Sequence, residues 1–238
     1  MMKVPPVGMP RGMIILWSGQ VYSSRGGQFL GGAEATALVG PQSRCRATLV
    51  VRGCIDELAV LFEPQGFYRL FRIPALLLTD QGVDIEAVLG SQIRWLHQRL
   101  GETTDFAQRT AILDEFLLTQ LPTCPPVDRL GKAFEALLSP GSPATVQEVD
   151  REAGISIRQL ERKSLTYTGL SPKSLARVAR FERALRMRRV GGTQWTTIAH
   201  ELNYHDQMHM VHDFQCFAGG APSRIMQQMQ SHHLIALA

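Results

Sequence analysis

The strongest constraint on how this 238-residue chain folds is a pattern that occurs twice in its C-terminal half. A short helical stretch ends at a residue that tolerates a left-handed turn, and a side-chain oxygen a few residues later opens a second helix. In the first copy, residues 146–163, the turn falls at Gly154, Ser156 is the N-cap, and Ile157 to Leu165 begin the next helix. In the second copy, residues 196–214, Asn203 makes the turn and Asp206 the cap. Ser156 corresponds to Asp206, Leu160 to Met210 and Arg162 to His212. The pattern predicts two helix-turn-helix units joined by a long arginine-rich helix. A unit of this kind fits its second helix into a DNA major groove and presents the side chains of its first turns to base edges.

The positions around these units form a dense set. Ser156, Leu160 and Arg162 give S-x-x-x-L-x-R; Gly169, Ser171 and Pro172 give G-x-S-P; Ile198, Ala199, Glu201 and Leu202 give I-A-x-E-L. Asp206, Gln207 and His209 continue as D-Q-x-H, followed by Phe214 and by Gly219 and Pro222 as G-x-x-P. Over residues 127–226 the chain resembles the DNA-binding domain of AraC/XylS-type bacterial transcription regulators. The resemblance implies an all-helical unit with two helix-turn-helix motifs. The sequence departs from that family at Asn203, usually glycine, at Met208, usually serine, and at Met210, usually aromatic. It also departs at His212, usually arginine, and at Ile225 and Met226, usually a tyrosine-arginine pair.

Helical position assigns roles. Arg158, Gln159 and Arg162 fall on the outward side of the first recognition helix, where Arg suits guanine and Gln suits adenine, each pair contributing roughly 1–3 kcal/mol of discrimination. Gln207, Met208 and His212 take the matching places on the second, with Met208 suited to a thymine methyl. Ser156, Lys163, Thr196 and Thr197 are the phosphate candidates near helix N-termini. Leu160, Ile198, Leu202, Met210 and Phe214 read as core, and Glu161 as a surface residue. His205, His209, His212 and Cys216 have the spacing of a soft-metal site. The resemblance already accounts for a histidine at 209 and a DNA-facing side chain at 212, so neither metal nor cofactor is expected.

Charge supports the same half. Residues 1–122 contain 11 basic and 11 acidic residues, whereas 127–238 contain 14 and 10. Within 158–189, ten basic residues stand against Glu161 and Glu182, the excess that phosphate neutralisation requires. The four cysteines lack C-x-x-C spacing, so reduced thiols are expected. No phosphate-binding loop, G-x-S-x-G or H-E-x-x-H motif is present, and no enzyme activity is expected. No signal-peptide pattern or bilayer-length apolar run occurs, which predicts a cytoplasmic protein without membrane contact.

Three prolines within residues 122–126 predict an extended linker over 123–126 between an N-terminal domain, 1–122, and a DNA-binding domain, 127–238. Leu130, Phe134, Leu137 and Leu138 give the second domain an opening amphipathic helix. The N-terminal domain reads as α+β. Residues 45–52 and 58–62 suggest two strands separated by a turn at 53–57, and residues 12–17 and 28–32 suggest further short strands. Ile85, Val88, Leu89, Ile93, Leu96 and Leu100 make one apolar helical face, and Phe106, Leu113, Phe116 and Leu117 another. Residues 39–44, 62–71 and 73–80 resemble the sensor-type domain of one subgroup of these regulators.

The expected fold is thus an α+β domain of sensor or dimerisation type followed by an all-α domain with two helix-turn-helix motifs joined by a long helix. The expected function is sequence-specific transcription regulation through double-stranded DNA, with the recognition helices about one DNA turn, roughly 34 Å, apart. A small-molecule effector at the N-terminal domain and a homodimer are compatible partners. The alternative is a regulatory adaptor that acts mainly through protein contacts, RNA polymerase among them, with only weak or non-specific DNA binding.

Overall fold

In the N-terminal part five strands, each antiparallel to its neighbours, form a sheet in the order β1-β4-β2-β3-β5: β1 Met2–Val4, β2 Gly12–Ser23, β3 Thr36–Val39, β4 Leu49–Leu61 and β5 Gly82–Asp84. The computed structural model describes residues 2–4, 12–23, 36–45, 49–139, 149, 151 and 154–231. The strand expected at 28–32 and most of the helix expected before Gly154 lie outside them. The turn expected at 53–57 is absent: β4 runs straight through it, paired with β2 from Gly12↔Leu61 to Ser23↔Leu49. Two register shifts, between Leu16 and Ser18 and between Ser18 and Gln20, absorb the irregular stretch as bulges. Asp56, a turn-former by composition, instead receives both terminal nitrogens of Arg109 at 2.7 and 3.0 Å. That bidentate bond holds its carboxyl below the usual carboxylate range.

Four helices pack on the sheet: α1 Gly66–Phe71, α2 Ile85–Leu89, α3 Gln92–Gly101 and α4 Phe106–Gln120, with a 3₁₀ turn over Ala75–Leu78. The predicted stripe from Ile85 to Leu100 is split into α2 and α3 at Gly90, where φ is 80°. Both pieces still face inward, because Ile85, Ile93, Leu96 and Leu100 join Leu38, Leu58, Phe67 and Phe116 in one buried cluster. Phe106 is a correction: it is 71% exposed, since Asp105 caps the helix just before it and turns the first residue outward. Arg109 takes an inward place instead.

The proline-rich connector is fastened to the N-terminal part. After a 3₁₀ turn at Leu121–Thr123, Arg72 donates to the Thr123 carbonyl (2.7 Å) and Arg69 to the Pro125 carbonyl (2.8 Å). Helix α5, Arg129–Leu138, follows, capped by Asp128 through the Gly131 N–H.

The remaining described helices are α6 Ile157–Thr168, α7 Pro172–Gly191, α8 Trp195–Glu201, α9 Gln207–Ala218 and α10 Pro222–Ser231. They enclose a second core in which Phe134, Phe181 and Phe214 are completely buried. Phe181 meets Phe214 edge to face at 4.9 Å, and Trp195 does the same at 5.4 Å. Leu160, Ile198, Met210 and Phe214 lie in this core, with Leu202 packed against it, as the sequence pattern requires. Ile225 and Met226 are buried too, so apolar residues suit the places where a tyrosine-arginine pair was the family expectation. No helix of the described residues is long and apolar enough to cross a membrane.

Candidate nucleic-acid interface

Each recognition helix begins at the expected residue. Ser156 Oγ accepts from the Gln159 N–H at 3.3 Å, and Gln159 Oε1 accepts in return from the Ser156 N–H at 3.1 Å, a reciprocal capping box. Asp206 Oδ1 accepts from the His209 N–H at 2.6 Å. The turns before them take left-handed conformations, φ 59° at Gly154 and 53° at Asn203. Asn serves there because its short polar side chain tolerates that region.

Burial divides each helix into an inner and an outer face. On α6, Leu160, Ser164 and Thr168 face inward, while Arg158, Glu161 and Arg162, spaced three and four residues apart, project together into solvent. On α9, Met210, Asp213, Phe214 and Phe217 are inward, and Gln207, Met208, His212 and Gln215 are outward. Thr196 and Thr197 are exposed in the first turn of α8. Two expectations change. Gln159 is exposed, but its amide oxygen is committed to the Ser156 cap, so it is not poised for adenine. Lys163 Nζ lies 3.1 Å from Asp128 Oδ2, turned back towards α5 rather than towards a phosphate.

The second change belongs to a larger one, because half of the ten basic residues in 158–189 hold the fold together. Arg177 donates through Nε and a terminal nitrogen to Asp213 Oδ1, at 3.0 and 2.7 Å, and Asp213 is completely buried. Arg180 stacks over the Tyr204 ring at 4.4 Å, and burial pushes that phenol well above its ordinary value. Arg183 donates to the Leu137 carbonyl at 2.6 Å, and Arg188 to the carbonyls of Gly192 and Thr193. Lys163 completes the set. The side chains of Arg158, Arg162, Lys173, Arg186 and Arg189 are exposed and make no hydrogen bond or ion pair among the described residues. The sequence could not separate these groups, since the spacing of both is helical; only the location of Asp128, Asp213 and free carbonyls does so.

Asp128 is the hub between α5 and α6. It accepts from the Gly131 N–H, the Lys163 ammonium and the Tyr167 hydroxyl, the last at 2.9 Å. Burial alone would raise its carboxyl, but these three donors outweigh burial and hold it below the usual range. The hydrogen bond from Lys163 to Asp128 raises the Lys163 ammonium in turn.

The ends of both recognition helices touch the N-terminal part. The Thr79 hydroxyl donates to the Gly169 carbonyl at 2.8 Å, just past α6, and the Cys45 N–H donates to the Cys216 carbonyl at 2.6 Å, near the end of α9. The rings of Tyr68 and Tyr167 lie 5.3 Å apart across the same junction. Buried Gln65 seats its amide over Gly131, where a β-carbon would fall 1.6 Å from Nε2. Nothing in the sequence pairs these residues. His212 is exposed whereas Cys216 turns towards Ser43, and no cluster of three metal-binding side chains occurs among the described residues.

Two capped helices, each following a left-handed turn and each resting its apolar face on a shared core, define the class as a tandem helix-turn-helix DNA-binding domain. Residues 150–228 match a family model described as a helix-turn-helix domain. The matched stretch is similar to the AraC-type helix-turn-helix domain of transcription regulators. No curated protein sequence matches the chain. Among solved structures, ToxT from Vibrio cholerae in a P21 crystal form is similar at 10% identity and TM-score 0.49, over 95% of this chain and 93% of that one. ToxT from Vibrio cholerae strain SCE256 bound to an unsaturated fatty acid is similar at 11% identity and TM-score 0.48, over 97% and 91%.

Proposed function

We propose that this protein is a cytoplasmic, sequence-specific transcription regulator that lays α6 and α9 into successive major-groove faces of double-stranded DNA. The observation that carries the reading is the outward triplet Arg158, Glu161 and Arg162 on a helix whose start is fixed by a capping box and whose inner face is anchored in the core. Arg158 and Arg162 would read guanines, with Gln207, Met208 and His212 reading from α9. Ser156, Thr196 and Thr197 would contact phosphates from helix N-termini. The N-terminal part is the controlling part in this reading. A small effector or a second copy of the chain bound there would act on both recognition helices through the junction at Gly169 and Cys216.

One observation favours the adaptor alternative for the second motif: the outward face of α9 carries Gln207, Met208, His212 and Gln215, with no lysine or arginine. The test is binding of the full chain to DNA from upstream of its own gene, against scrambled DNA of equal length, over about 50–200 mM salt. A preference of about 10³ or more that falls in Arg158→Ala or Arg162→Ala supports base reading. Equal binding to both DNAs refutes it. If His212→Ala leaves affinity unchanged while the arginine variants weaken it, α9 serves a protein partner such as RNA polymerase.

A further inference from the structure

Cys45 and Cys216 are far apart in sequence and adjacent in space. With the Cys45 N–H donating to the Cys216 carbonyl at 2.6 Å, their Cα atoms can be no more than about 6.5 Å apart. The N–Cα bond, the hydrogen bond and the Cα-to-oxygen span of one peptide unit cannot reach further. A disulfide accepts Cα separations of about 4.4–6.8 Å. The sulfurs occupy the same small region. Cys45 Sγ lies 3.1 Å from where a β-carbon on Gly219 would stand, and Gly219 follows Cys216 by three residues, one helical turn along the same face. Cys216 Sγ contacts the Ser43 carbonyl at 4.0 Å, two residues before Cys45. Both cysteines are thiols and only partly buried, so small reagents reach them.

We propose that Cys45 and Cys216 are an oxidative modification site, a pair that closes into a disulfide and locks the last turn of the second recognition helix to the segment leading into β4. The oxidant is a low-molecular-weight disulfide. One protein thiolate attacks a sulfur of that disulfide, forming a mixed disulfide and expelling one small thiolate. The second protein thiolate then attacks the protein sulfur of the mixed disulfide and expels the other. The protein loses two hydrogens and two electrons, and the small disulfide gains them as two thiols. In a reducing compartment the bridge is transient and follows the thiol poise, which is how a regulatory rather than a structural disulfide behaves. Arg177 hydrogen-bonds Asp213, three residues before Cys216 on α9, so the bridge also bears on the ion pair that fixes α9.

The experiment incubates the full native chain with oxidised glutathione, traps remaining thiols by alkylation, and maps peptides without reduction. The expected product is one cross-linked peptide pair containing residues 45 and 216, two hydrogens lighter than its parts. It should dominate over any pairing with Cys54 or Cys124 and disappear when oxidation is carried out in denaturant. Glutathione adducts that accumulate on either cysteine without cross-linking overturn the proposal, as does predominant pairing with Cys54 or Cys124. Because the mapping uses the unsubstituted protein, a folding defect in Cys45→Ser or Cys216→Ser, used only as blanks, does not change the result.

Discussion

Gly169 offers a direct measure of how firmly the N-terminal part presses on the first recognition helix. It ends α6 at φ 73°, and an added β-carbon there would lie 2.4 Å from Pro41 Cγ, 2.6 Å from Thr79 Oγ1 and 3.0 Å from the Ala75 carbonyl oxygen. The proline ring and the carbonyl are rigid, and Thr79 is already held by its hydrogen bond to Gly169. Gly192 supplies the control: it ends α7 at φ 62° with nothing within 4 Å of the same position. Gly192→Ala therefore carries only left-handed strain, about 1–2 kcal/mol, lessened by the stiffer unfolded chain. Gly169→Ala carries that strain plus overpacking, about 1–3 kcal/mol, and the weakening of a hydrogen bond that contributes about 1 kcal/mol. The expected excess of Gly169→Ala over Gly192→Ala is about 2–4 kcal/mol, read from the urea unfolding midpoints of the two full-length variants. Equal midpoints would show that Pro41 and Thr79 do not bear on α6, and the coupling route to the DNA-binding helices would be lost with them.

Arg177→Ala removes the main partner of a completely buried carboxylate and should destabilise the chain by about 3 kcal/mol, the lower end of the usual range because Arg177 is partly exposed. Asp213→Leu removes the buried charge itself and should cost much less; a larger loss in the leucine variant by chemical denaturation would contradict this account. The salt dependence of DNA binding should follow Lys173, Arg186 and Arg189, the untethered basic residues not assigned to bases, with a slope of log K against log salt of about −2.7, whereas a slope of about −7 would mean that the tethered five also reach phosphate. By the same logic Arg186→Ala should flatten the slope by about one, and Arg183→Ala should leave it unchanged. Asp128 has a lowered carboxyl, so its stabilising contribution is present above the ordinary value near 4 and fades as pH falls through the depressed folded value. Lys163, raised by Asp128, contributes up to its ordinary value, about 10.4, and loses that contribution as pH rises beyond its elevated one. Asp128→Asn should therefore flatten the acid limb of a stability-pH profile, and an unchanged limb would argue against the hub.

The sequence alone determined the two helix starts, the turns before them and the apolar faces behind them. Caps, left-handed turns and helical periodicity are local matters, settled within a few residues by hydrogen-bond supply and side-chain volume. Ser156, Asp206, Gly154 and Asn203 could be read directly for that reason, and so could the inward places of Leu160 and Met210. Tertiary structure decided everything that depends on a partner distant along the chain. Residues 53–57 are composed like a turn, yet they run as strand because β2 supplies the opposing ladder and Arg109 neutralises Asp56. The arginine-rich helix has a uniform charge pattern, yet Asp213 and the carbonyls of Leu137, Gly192 and Thr193 withdraw part of it from solvent. The linker prolines predicted an extended connector, and only the fold shows that Arg69 and Arg72 fasten it. A charged side chain becomes an anchor or a reader according to whether the fold brings an acceptor within about 3 Å of it, a distance that composition and spacing do not encode.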